Sequence, residues 1–309
     1  MATTVLITGA TGLVGNALVP ALLQRGYRLI LLTRTRQAHT LPYATHAEVR
    51  YVYWNPSQAA LDAEVLRQAD HIVHLAGANV ADKRWTAAQK KEIVDSRVHS
   101  GRLLVDRLKE ITHRPLSFVG ASAIGWYGAD SEAHSDPFSE TDPYDSGFLG
   151  DTCRQWEEST ESLTALGIRR VILRIGIVLS RKAGALPEFE RPLRFGMAPI
   201  LGSGKQIISW IQLQDLVSMI IFSIEQSTLQ GIYNATAPSP VSQYALMKAL
   251  ARQRNQLFIP VPVPAFLLKW LMGEMSIEVL KSTRVSAVKV QQAGFFFSYP
   301  SIEEALPVC

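Results

Sequence analysis

Hydrophobic and polar positions follow two alternating periods over the first 175 or so residues. Short apolar runs are separated by segments whose apolar residues recur every three or four positions, which predicts strands alternating with helices. After the first strand, for example, apolar residues stand at positions 13, 14, 17, 18, 21 and 22. The pattern predicts six strands, at residues 4–8, 28–33, 49–54, 71–77, 116–122 and 170–179. This order predicts an α/β protein, with a parallel sheet covered by helices on both faces through right-handed crossovers.

Capping signals mark two more helices. Thr86 is expected to be the N-cap of a long helix over residues 86–110, and a helix over 149–166 should end at Gly167. The pattern then changes, because residues 183–206 are rich in glycine and proline. Beyond them the sequence predicts a strand and a helix within 208–225, a strand at 231–236, a helix at 241–255, and a mostly helical tail over 276–306 with one strand in "GFFFSY".

The composition is that of an ordinary globular protein. The 309 residues are 47% hydrophobic, and 31 Lys and Arg against 27 Asp and Glu give a net charge of +4. Because no dense basic run carries this charge, a nucleic-acid partner is not expected. The apolar stretches are too short to cross a membrane, no secretory signal is recognised, and two cysteines suit a reducing compartment, so a cytoplasmic location is expected. The histidines show no metal-ligand spacing, and no metal is predicted.

The stretch "TGATGLVG", residues 8–15, carries the candidate chemistry of the N-terminal half. Its three glycines follow a strand and open a helix, which is the context in which such a loop binds a pyrophosphate. Glycine permits the turn, the approach of a phosphate to the backbone and close helix packing, while the helix N-terminus attracts the negative charge. The alternative is a glycine-rich turn without a ligand. We expect a dinucleotide here, held by Gly9, Thr11, Gly12, Leu13, Val14 and Gly15.

The end of the second strand determines which dinucleotide is expected. The sequence there is "LLTRTR", with Arg34 and Arg36 and no carboxylate. A carboxylate at this point would bind the 2′-hydroxyl of the adenosine ribose in NAD(H), whereas a guanidinium binds a 2′-phosphate. NADP(H) is therefore favoured over NAD(H). Arg34 is the first candidate because it comes directly after the strand, and the alternative is a solvated loop charge.

Several motifs together show a family resemblance. "TGATGLVG", "HLAG" and "ASAIGWYG", in this order, resemble the extended, epimerase/dehydratase-like branch of the short-chain dehydrogenase/reductases. The chain is most similar to the YfcH-like epimerase family proteins, through "ADKRW", "RQWEE", "GSGKQIISWIQLQDLV" and "LLKWLMGEMS". This resemblance covers essentially the whole chain. It implies a Rossmann-type, doubly wound parallel sheet of about seven strands with a smaller C-terminal substrate lobe.

The resemblance also implies a division of the chain and a catalytic pattern. The NADP-binding domain is expected to comprise 1–182 plus 207–230, and the substrate-binding lobe 183–206 plus 231–309, including a segment of unassigned function at about 255–306. In the family a Ser or Thr follows the fifth strand, and a Tyr-x-x-x-Lys stands on the next helix. The tyrosine exchanges a proton with the substrate, while the lysine holds the nicotinamide ribose and lowers the tyrosine pKa.

The sequence keeps only part of that catalytic pattern. Ser122 fills the hydroxyl position and is also an expected cofactor contact. Aligning Glu157 with the acid that usually follows the lysine puts Leu149 at the tyrosine position and Cys153 at the lysine position. Tyr127 is the nearest other phenol, and by resemblance it lines the substrate site. The candidate catalytic residues are Ser122, Tyr127 and Cys153, although Tyr127 also suits aromatic packing and Cys153 also suits a buried, inert thiol.

The remaining candidates are basic residues and strand ends. Arg97, on the long helix, is expected to face the cofactor or an acidic substrate, unless it is an exposed helix charge. Lys83 and Arg84 are expected to bind a substrate anion, unless Trp85 makes their loop a structural cap. By resemblance, Lys205 lies over the substrate pocket. Further expected cofactor contacts are Trp54, Asn55, Leu75, Ala76, Gly77, Arg174 and Gly176.

Two functions remain open on the sequence. The first is an NADP(H)-dependent oxidoreductase or epimerase of a small-molecule substrate, with a non-standard acid and base. The second is a protein that binds NADP(H) for sensing or regulation without turnover. Ser122, the glycine loop and the elaborate lobe favour the first, and the missing Tyr-x-x-x-Lys favours the second. A homodimer is retained as an expectation because the family often dimerises through its long helices.

Overall fold

A computed structural model describes residues 2–131 and 136–309 of the chain. Its strands are β1 (Thr4–Thr8), β2 (Arg28–Thr33), β3 (Val49–Tyr53), β4 (His71–His74), β5 (Ser117–Ala123), β6 (Arg169–Ile175), β7 (Ile177–Leu179), β8 (Met197–Leu201), β9 (Ile207–Ile208), β10 (Trp210–Gln212), β11 (Gly231–Ala235), β12 (Val241–Ser242) and β13 (Ile259–Val263). Its α-helices are α1 (Leu13–Gln24), α2 (Ala63–Leu66), α3 (Ala87–Lys109), α4 (Phe148–Glu158), α5 (Ala185–Leu193), α6 (Leu213–Glu225), α7 (Gln243–Gln253), α8 (Ala265–Met272), α9 (Ser276–Leu280), α10 (Val288–Gln292) and α11 (Ile302–Val308).

The central sheet confirms the predicted fold class. Seven parallel strands lie in the order β11-β6-β5-β4-β1-β2-β3. β1 pairs with β2 on one side and with β4 on the other, so the direction of strand addition reverses between β1 and β4. In open α/β sheets, ligands bind beyond the carboxyl ends of the strands at such a switch point. The sheet therefore directs attention to the residues that follow β1, β4 and β5.

Two apolar layers cover the faces of this sheet. On one face, α1 and α6 pack through residues such as Leu18, Leu22 and Ile220. On the other, α2 and α3 pack through residues such as Leu66 and Leu104. The helical period predicted for α1 is confirmed, since the residues of that stripe are buried in or packed against this core.

The predicted helix ends are confirmed, with one subdivision. Thr86 caps α3, its hydroxyl accepting a hydrogen bond from the backbone N–H of Gln89. The helix predicted over 149–166 consists of α4 and a 3-10 helix, Glu161–Leu166. It ends at Gly167, whose φ of +77° is a left-handed conformation that glycine adopts without strain.

The strand predicted over 170–179 is two strands, divided at Gly176. β6 stays in the central sheet, whereas β7 leaves it and pairs with β10. At Gly176 a Cβ would lie 2.8 Å from the carbonyl oxygen of Ser209. The chain turns off the sheet here because only glycine allows the segment before β10 to approach so closely.

A third apolar core supports the C-terminal part. It joins α5, β8, α7 and α11 through residues such as Leu186, Ala198, Met247 and Leu306. The boundary expected at residue 231 is wrong in one respect, because β11 is the edge strand of the central sheet and belongs with the N-terminal part. The tertiary pairing of β11 with β6 decides this, and the strand's own sequence carries no such information.

The strand predicted in "GFFFSY" is also wrong. In the described chain this segment forms no strand, and the backbone N–H groups of Ser298 and Tyr299 donate to the carboxylate of Asp215 over 2.9 and 3.0 Å. A side chain of α6 thus satisfies the donors that a strand partner would otherwise bind. None of the described helices has both the length and the apolar character needed to cross a bilayer.

Candidate functional site

The glycine loop joins β1 to α1 at the switch point. Gly9 has a φ of +72°, and a Cβ there would lie 2.8 Å from the backbone carbonyl of Leu75. At Gly15, a Cβ would lie 2.4 Å from the carbonyl oxygen of Gly9. The loop therefore needs glycine at both positions, once for the turn and once for the close packing of α1.

The N-terminus of α1 is left open to a ligand. Its N-cap is Gly12, which offers no side-chain hydrogen bond, and the first turn holds no acidic residue. Thr11 is exposed, and Leu13 and Val14 are half-buried. The first N–H groups of a helix have no intrahelical partner, and the dipole adds positive charge there. This end of α1 therefore suits the pyrophosphate of a dinucleotide.

A buried hydrogen-bond chain fixes β4 beside the loop. Thr8 Oγ1 accepts hydrogen bonds from the N–H groups of Leu75 and Ala76, both at 3.1 Å. Its own proton therefore goes to His74 Nδ1 at 2.8 Å, which leaves Nε2 of His74 to donate to Ser100 Oγ at 3.2 Å. Burial lowers the pKa of His74 to about 4, so the ring is neutral and structural.

The adenosine end of the predicted site lies beyond β2. Arg34 is exposed there, and its side chain has no hydrogen bond or ion pair with any described residue. Arg36 instead stacks over the ring of Tyr53 at 4.4 Å. Trp54 is buried in the core beneath this end, and Asn55 accepts a hydrogen bond from the N–H of Ser57. Arg34 is thus an exposed cation that no described side chain pairs with.

Arg97 reaches from α3 to the end of β4. A Cβ placed on Gly77 would lie 3.2 Å from the guanidinium carbon of Arg97, so glycine leaves the room that the arginine occupies. The guanidinium also lies over the ring of Trp156, 4.8 Å from its centre. Arg97 is therefore not an ordinary surface charge of the helix, since it is packed between the end of β4 and α4.

The serine of the family pattern is hydrogen-bonded to a buried ion pair. Ser122 Oγ donates to Glu157 Oε1 at 2.7 Å. Arg174 binds the same carboxylate through both oxygens, with Nε to Oε1 at 2.8 Å and Nη2 to Oε2 at 3.0 Å. Ser122, Glu157 and Arg174 are all buried. The serine hydroxyl is thus engaged inside the protein, and Arg174 is buried in the same ion pair.

Tyr127 completes the same network. Its hydroxyl accepts from Arg174 Nη1 at 3.0 Å and donates to Asn234 Oδ1 at 2.7 Å. The side chain is fully buried and stacks on Phe138. Burial raises the pKa of Tyr127 to about 12, although Arg174 opposes the shift. The phenol holds β11 against the turn after β5, and its proton is enclosed.

The third catalytic candidate is enclosed as well. Cys153 is buried on α4, and its thiol donates to the carbonyl oxygen of Ala123 at 3.6 Å. Burial raises its pKa to about 12, and the neighbouring carboxylate of Glu157 adds to the shift. Leu149, one turn earlier, packs with Cys153 around Gly125. The positions that would hold the Tyr-Lys pair thus form apolar packing beside the turn after β5.

The predicted substrate contacts lie in two separate places. Arg84 donates to the carbonyl oxygen of Trp270 at 3.4 Å and lies against Gly273, which ties the loop after β4 to the C-terminal segment. Lys83 and Lys205 are both exposed. Lys205 follows Gly204, which packs against α7. Trp85 supports the structural alternative, because its ring meets the ring of Phe148, at the start of α4, edge to face.

Sequence reasoning missed two members of the buried network, Glu157 and Asn234. Glu157 served only as an alignment mark, and Asn234 stood in a predicted strand. One signal was available, because Arg174 lies within an apolar strand and a buried arginine requires a carboxylate partner. The sequence alone offers no means of choosing that partner from 27 acidic residues. Within the described ranges, no group of three or more His, Cys, Asp or Glu is arranged to hold a metal ion.

Comparison with known proteins identifies the family of the chain. The sequence model of the NAD-dependent epimerase/dehydratase family matches residues 5–236, and a domain of unknown function, DUF1731, matches residues 263–307. An epimerase family protein of Staphylococcus saprophyticus is 35% identical over 301 residues, which are 97% of each chain. An epimerase family protein of Bacillus subtilis is 33% identical over 300 residues, covering 97% of this chain and 95% of that protein.

Solved structures share the fold over the whole chain. A human epimerase family protein, solved with NADPH, superposes with a TM-score of 0.85 at 25% identity, covering 99% of this chain and 98% of that one. A UDP-glucuronic acid 4-epimerase of Bacillus cereus, solved with UDP-glucuronic acid and NAD, has a TM-score of 0.78 at 18% identity, with 98% and 96% covered. The second likeness concerns the fold alone.

Proposed function

The chain belongs to the NAD-dependent epimerase/dehydratase family, and on that premise we propose that it is an NADP(H)-binding oxidoreductase of a small-molecule substrate. We propose further that this enzyme works without a catalytic tyrosine. The observation that carries the proposal is the open N-terminus of α1, held at the switch point of the sheet by Gly9 and Gly15. A dinucleotide fits this end because its pyrophosphate supplies the negative charge that the helix lacks.

The preference for NADP(H) is supported by charge. Arg34 is exposed directly after β2, where a carboxylate would select NAD(H). A 2′-phosphate offers a guanidinium paired, charge-assisted hydrogen bonds. The human relative solved with NADPH supports the same choice.

The proposed chemistry assigns limited tasks to this chain. When bound, the dinucleotide supplies hydride transfer. The glycine loop binds its pyrophosphate, Arg34 binds the 2′-phosphate, and the network of Glu157 and Arg174 holds β5, β6 and α4 rigid beneath the nicotinamide. Because Ser122, Tyr127 and Cys153 are enclosed, the proton is exchanged with water or with a group of the substrate itself.

The substrate lobe is proposed to accept a small anionic molecule. Lys83 and Lys205 are exposed cations on the loops that follow β4 and β8, and neither has an acidic partner in the part of the chain that is described. Arg84 is engaged with the C-terminal segment, so it serves to position that segment on the loop. The proposed lobe is thus attached to the nucleotide-binding part at the loop after β4.

A nucleotide titration tests the cofactor proposal. Binding of NADPH and NADH is followed by the change in nicotinamide fluorescence, and NADPH is expected to bind more tightly. Arg34→Glu should weaken NADPH by tenfold or more and leave NADH nearly unchanged, because a charged bidentate contact is lost. Arg67→Glu, which alters an exposed ion pair with Glu64, is the charge-matched control. Tighter binding of NADH by the wild-type protein would overturn the preference.

A second function is favoured by one specific observation. The enclosure of Ser122, Tyr127 and Cys153 suits a protein that binds NADP(H) for sensing or regulation without turnover. The two functions are separated by incubating the NADPH-loaded protein with a panel of nucleotide sugars and small carbonyl compounds. Oxidation of NADPH at a rate proportional to protein supports the oxidoreductase. Tight NADPH binding with no oxidation across the panel supports the regulatory protein.

A further inference from the structure

Arg97 is a residue of α3 whose guanidinium lies against the residues that follow β4. Its Nη1 donates to the carbonyl oxygens of Ala78 and Ile93, both at 2.9 Å. Gly77 lies against one side of the guanidinium and the ring of Trp156 against another. Backbone carbonyls and an indole thus fix its orientation.

The remaining donors of this guanidinium are unused. Nε and Nη2 of Arg97 donate to no described residue, and no described carboxylate pairs with Arg97. Neither nitrogen is among the fully enclosed, unpartnered side-chain atoms of the described residues, so both retain some access to solvent. Burial lowers the pKa of Arg97, and N–H donors held partly away from water without acceptors carry a free-energy cost. The arrangement therefore suits a group supplied from outside.

The position of Arg97 identifies the part of the ligand that it meets. Gly9 of the pyrophosphate loop lies against Leu75 and Ala76, whereas Arg97 lies against Gly77, beyond them. Cys153, whose thiol donates a hydrogen bond to the end of β5, lies close enough to Arg97 for the positive charge of the arginine to favour a lower pKa of the thiol. Arg97 thus stands between the ends of β4 and β5, on the side of the switch point away from the adenosine.

We infer that Nε and Nη2 of Arg97 donate hydrogen bonds to the hydroxyls of the nicotinamide ribose. Arg97, on α3, thus provides the positive charge that position 153 on α4, a cysteine, lacks. This inference rests on the proposed binding of NADP(H). It makes Arg97 a cofactor-binding residue that orients the nicotinamide half of the molecule. Glycine at position 77 leaves this guanidinium its room, since a Cβ there would lie only 3.2 Å from the guanidinium carbon and would crowd it.

Two nucleotides that share the adenosine half test this inference. NADPH and adenosine 2′,5′-bisphosphate are titrated against wild-type protein and Arg97→Met, with adenosine bisphosphate binding followed by calorimetry. Arg97→Met should weaken NADPH by about ten- to hundredfold, the usual range for hydrogen bonds to a charged group, and leave the bisphosphate unchanged. Arg102→Met, an exposed arginine on the same helix, is the matched control and should change neither.

The outcomes separate this inference from the proposed function. Failure of wild-type protein to bind NADPH overturns the proposed function itself. Normal wild-type binding with NADPH affinity unchanged in Arg97→Met overturns only the inference, as does equal weakening of both nucleotides, which would indicate a role in folding or at the phosphates. Arg97→Lys retains the charge in a milder replacement, and it should keep more NADPH affinity than Arg97→Met. Equal loss in the two variants would also contradict the inference.

Discussion

The hydroxyl of Ser122 donates to the carboxylate of Glu157 over 2.7 Å, inside the protein and beneath the end of β5. The serine of a catalytic pattern is thereby joined to a structural ion pair. Glu157 also holds Arg174 through two hydrogen bonds, so two strands, β5 and β6, and one helix, α4, meet at one carboxylate. This relationship makes the network a determinant of stability, and stability is what its variants should change.

Replacing Glu157 is expected to destabilise the fold strongly. Glu157→Gln leaves Arg174 buried without a counter-ion, which typically costs about 3 kcal/mol in the free energy of unfolding. The measurement is urea denaturation followed by tryptophan fluorescence. Glu158→Gln is the matched control. Glu158, the neighbour of Glu157, pairs with Arg154 at the surface, so its replacement should change stability much less. Equal stability of the two variants would show that the buried pair contributes little.

Removing one oxygen from Tyr127 tests whether it acts structurally or chemically. Tyr127→Phe should lower the free energy of unfolding by about 1–3 kcal/mol, because Asn234 Oδ1 loses its buried donor. NADPH affinity should stay within twofold of wild type, since the phenol is enclosed. Denaturation and nucleotide titration of the same preparation check both points. Unchanged stability with lost NADPH binding would place Tyr127 in the ligand site and contradict this reading.

The stability of the protein is expected to fall on mild acidification because of His74. The folded protein binds a proton at His74 with a pKa of about 4, whereas the unfolded chain does so near 6.5. Between these values the unfolded state holds more protons, so stability is lost as pH falls from about 6.5 towards 4, by up to about 3 kcal/mol. Denaturation midpoints at pH 7 and pH 5 measure this loss.

A variant isolates the contribution of that histidine. His74→Asn keeps an acceptor near Thr8 and does not titrate in this range, so its loss of stability between pH 7 and pH 5 should be smaller than that of wild type. His113→Asn, at an exposed position, is the control. If the His74 variant keeps the full pH dependence, other groups cause it.

The thiol of Cys153 is expected to resist alkylation in the folded protein. Burial raises its pKa to about 12, so almost no thiolate is present at pH 8. Iodoacetamide labelling, read by mass spectrometry of peptides, should modify Cys153 rapidly only after denaturation. Cys309, which is less buried, is the internal comparison. Rapid labelling of native Cys153 would restore it as a candidate nucleophile.

Local sequence determined the elements that depend on neighbouring residues. The glycine loop, the cap at Thr86 and the apolar stripe of α1 follow from conformational preference and period, which act within a few residues. The parallel order followed because strands alternate with helices. The same reasoning failed at Gly176 and in "GFFFSY", where contact with Ser209 and with Asp215, distant in sequence, decides the path of the chain.

The sequence by itself thus determined the nucleotide-binding fold, the position of its glycine loop and the absence of the Tyr-Lys pair. Only the tertiary structure decided what the other chemical groups do. The sequence predicted Ser122 and Tyr127 as catalytic because hydroxyl groups can take part in acid–base chemistry. In the structure, however, Ser122 donates to Glu157 and Tyr127 donates to Asn234 inside the protein. For Arg97 the sequence allowed a site residue or a surface charge. Its contacts with Gly77 and Trp156 show that it is packed between β4 and α4, and its binding of the cofactor stays a prediction. Reactivity depends on burial and on partners that the fold brings together from distant parts of the chain, and no local pattern records them.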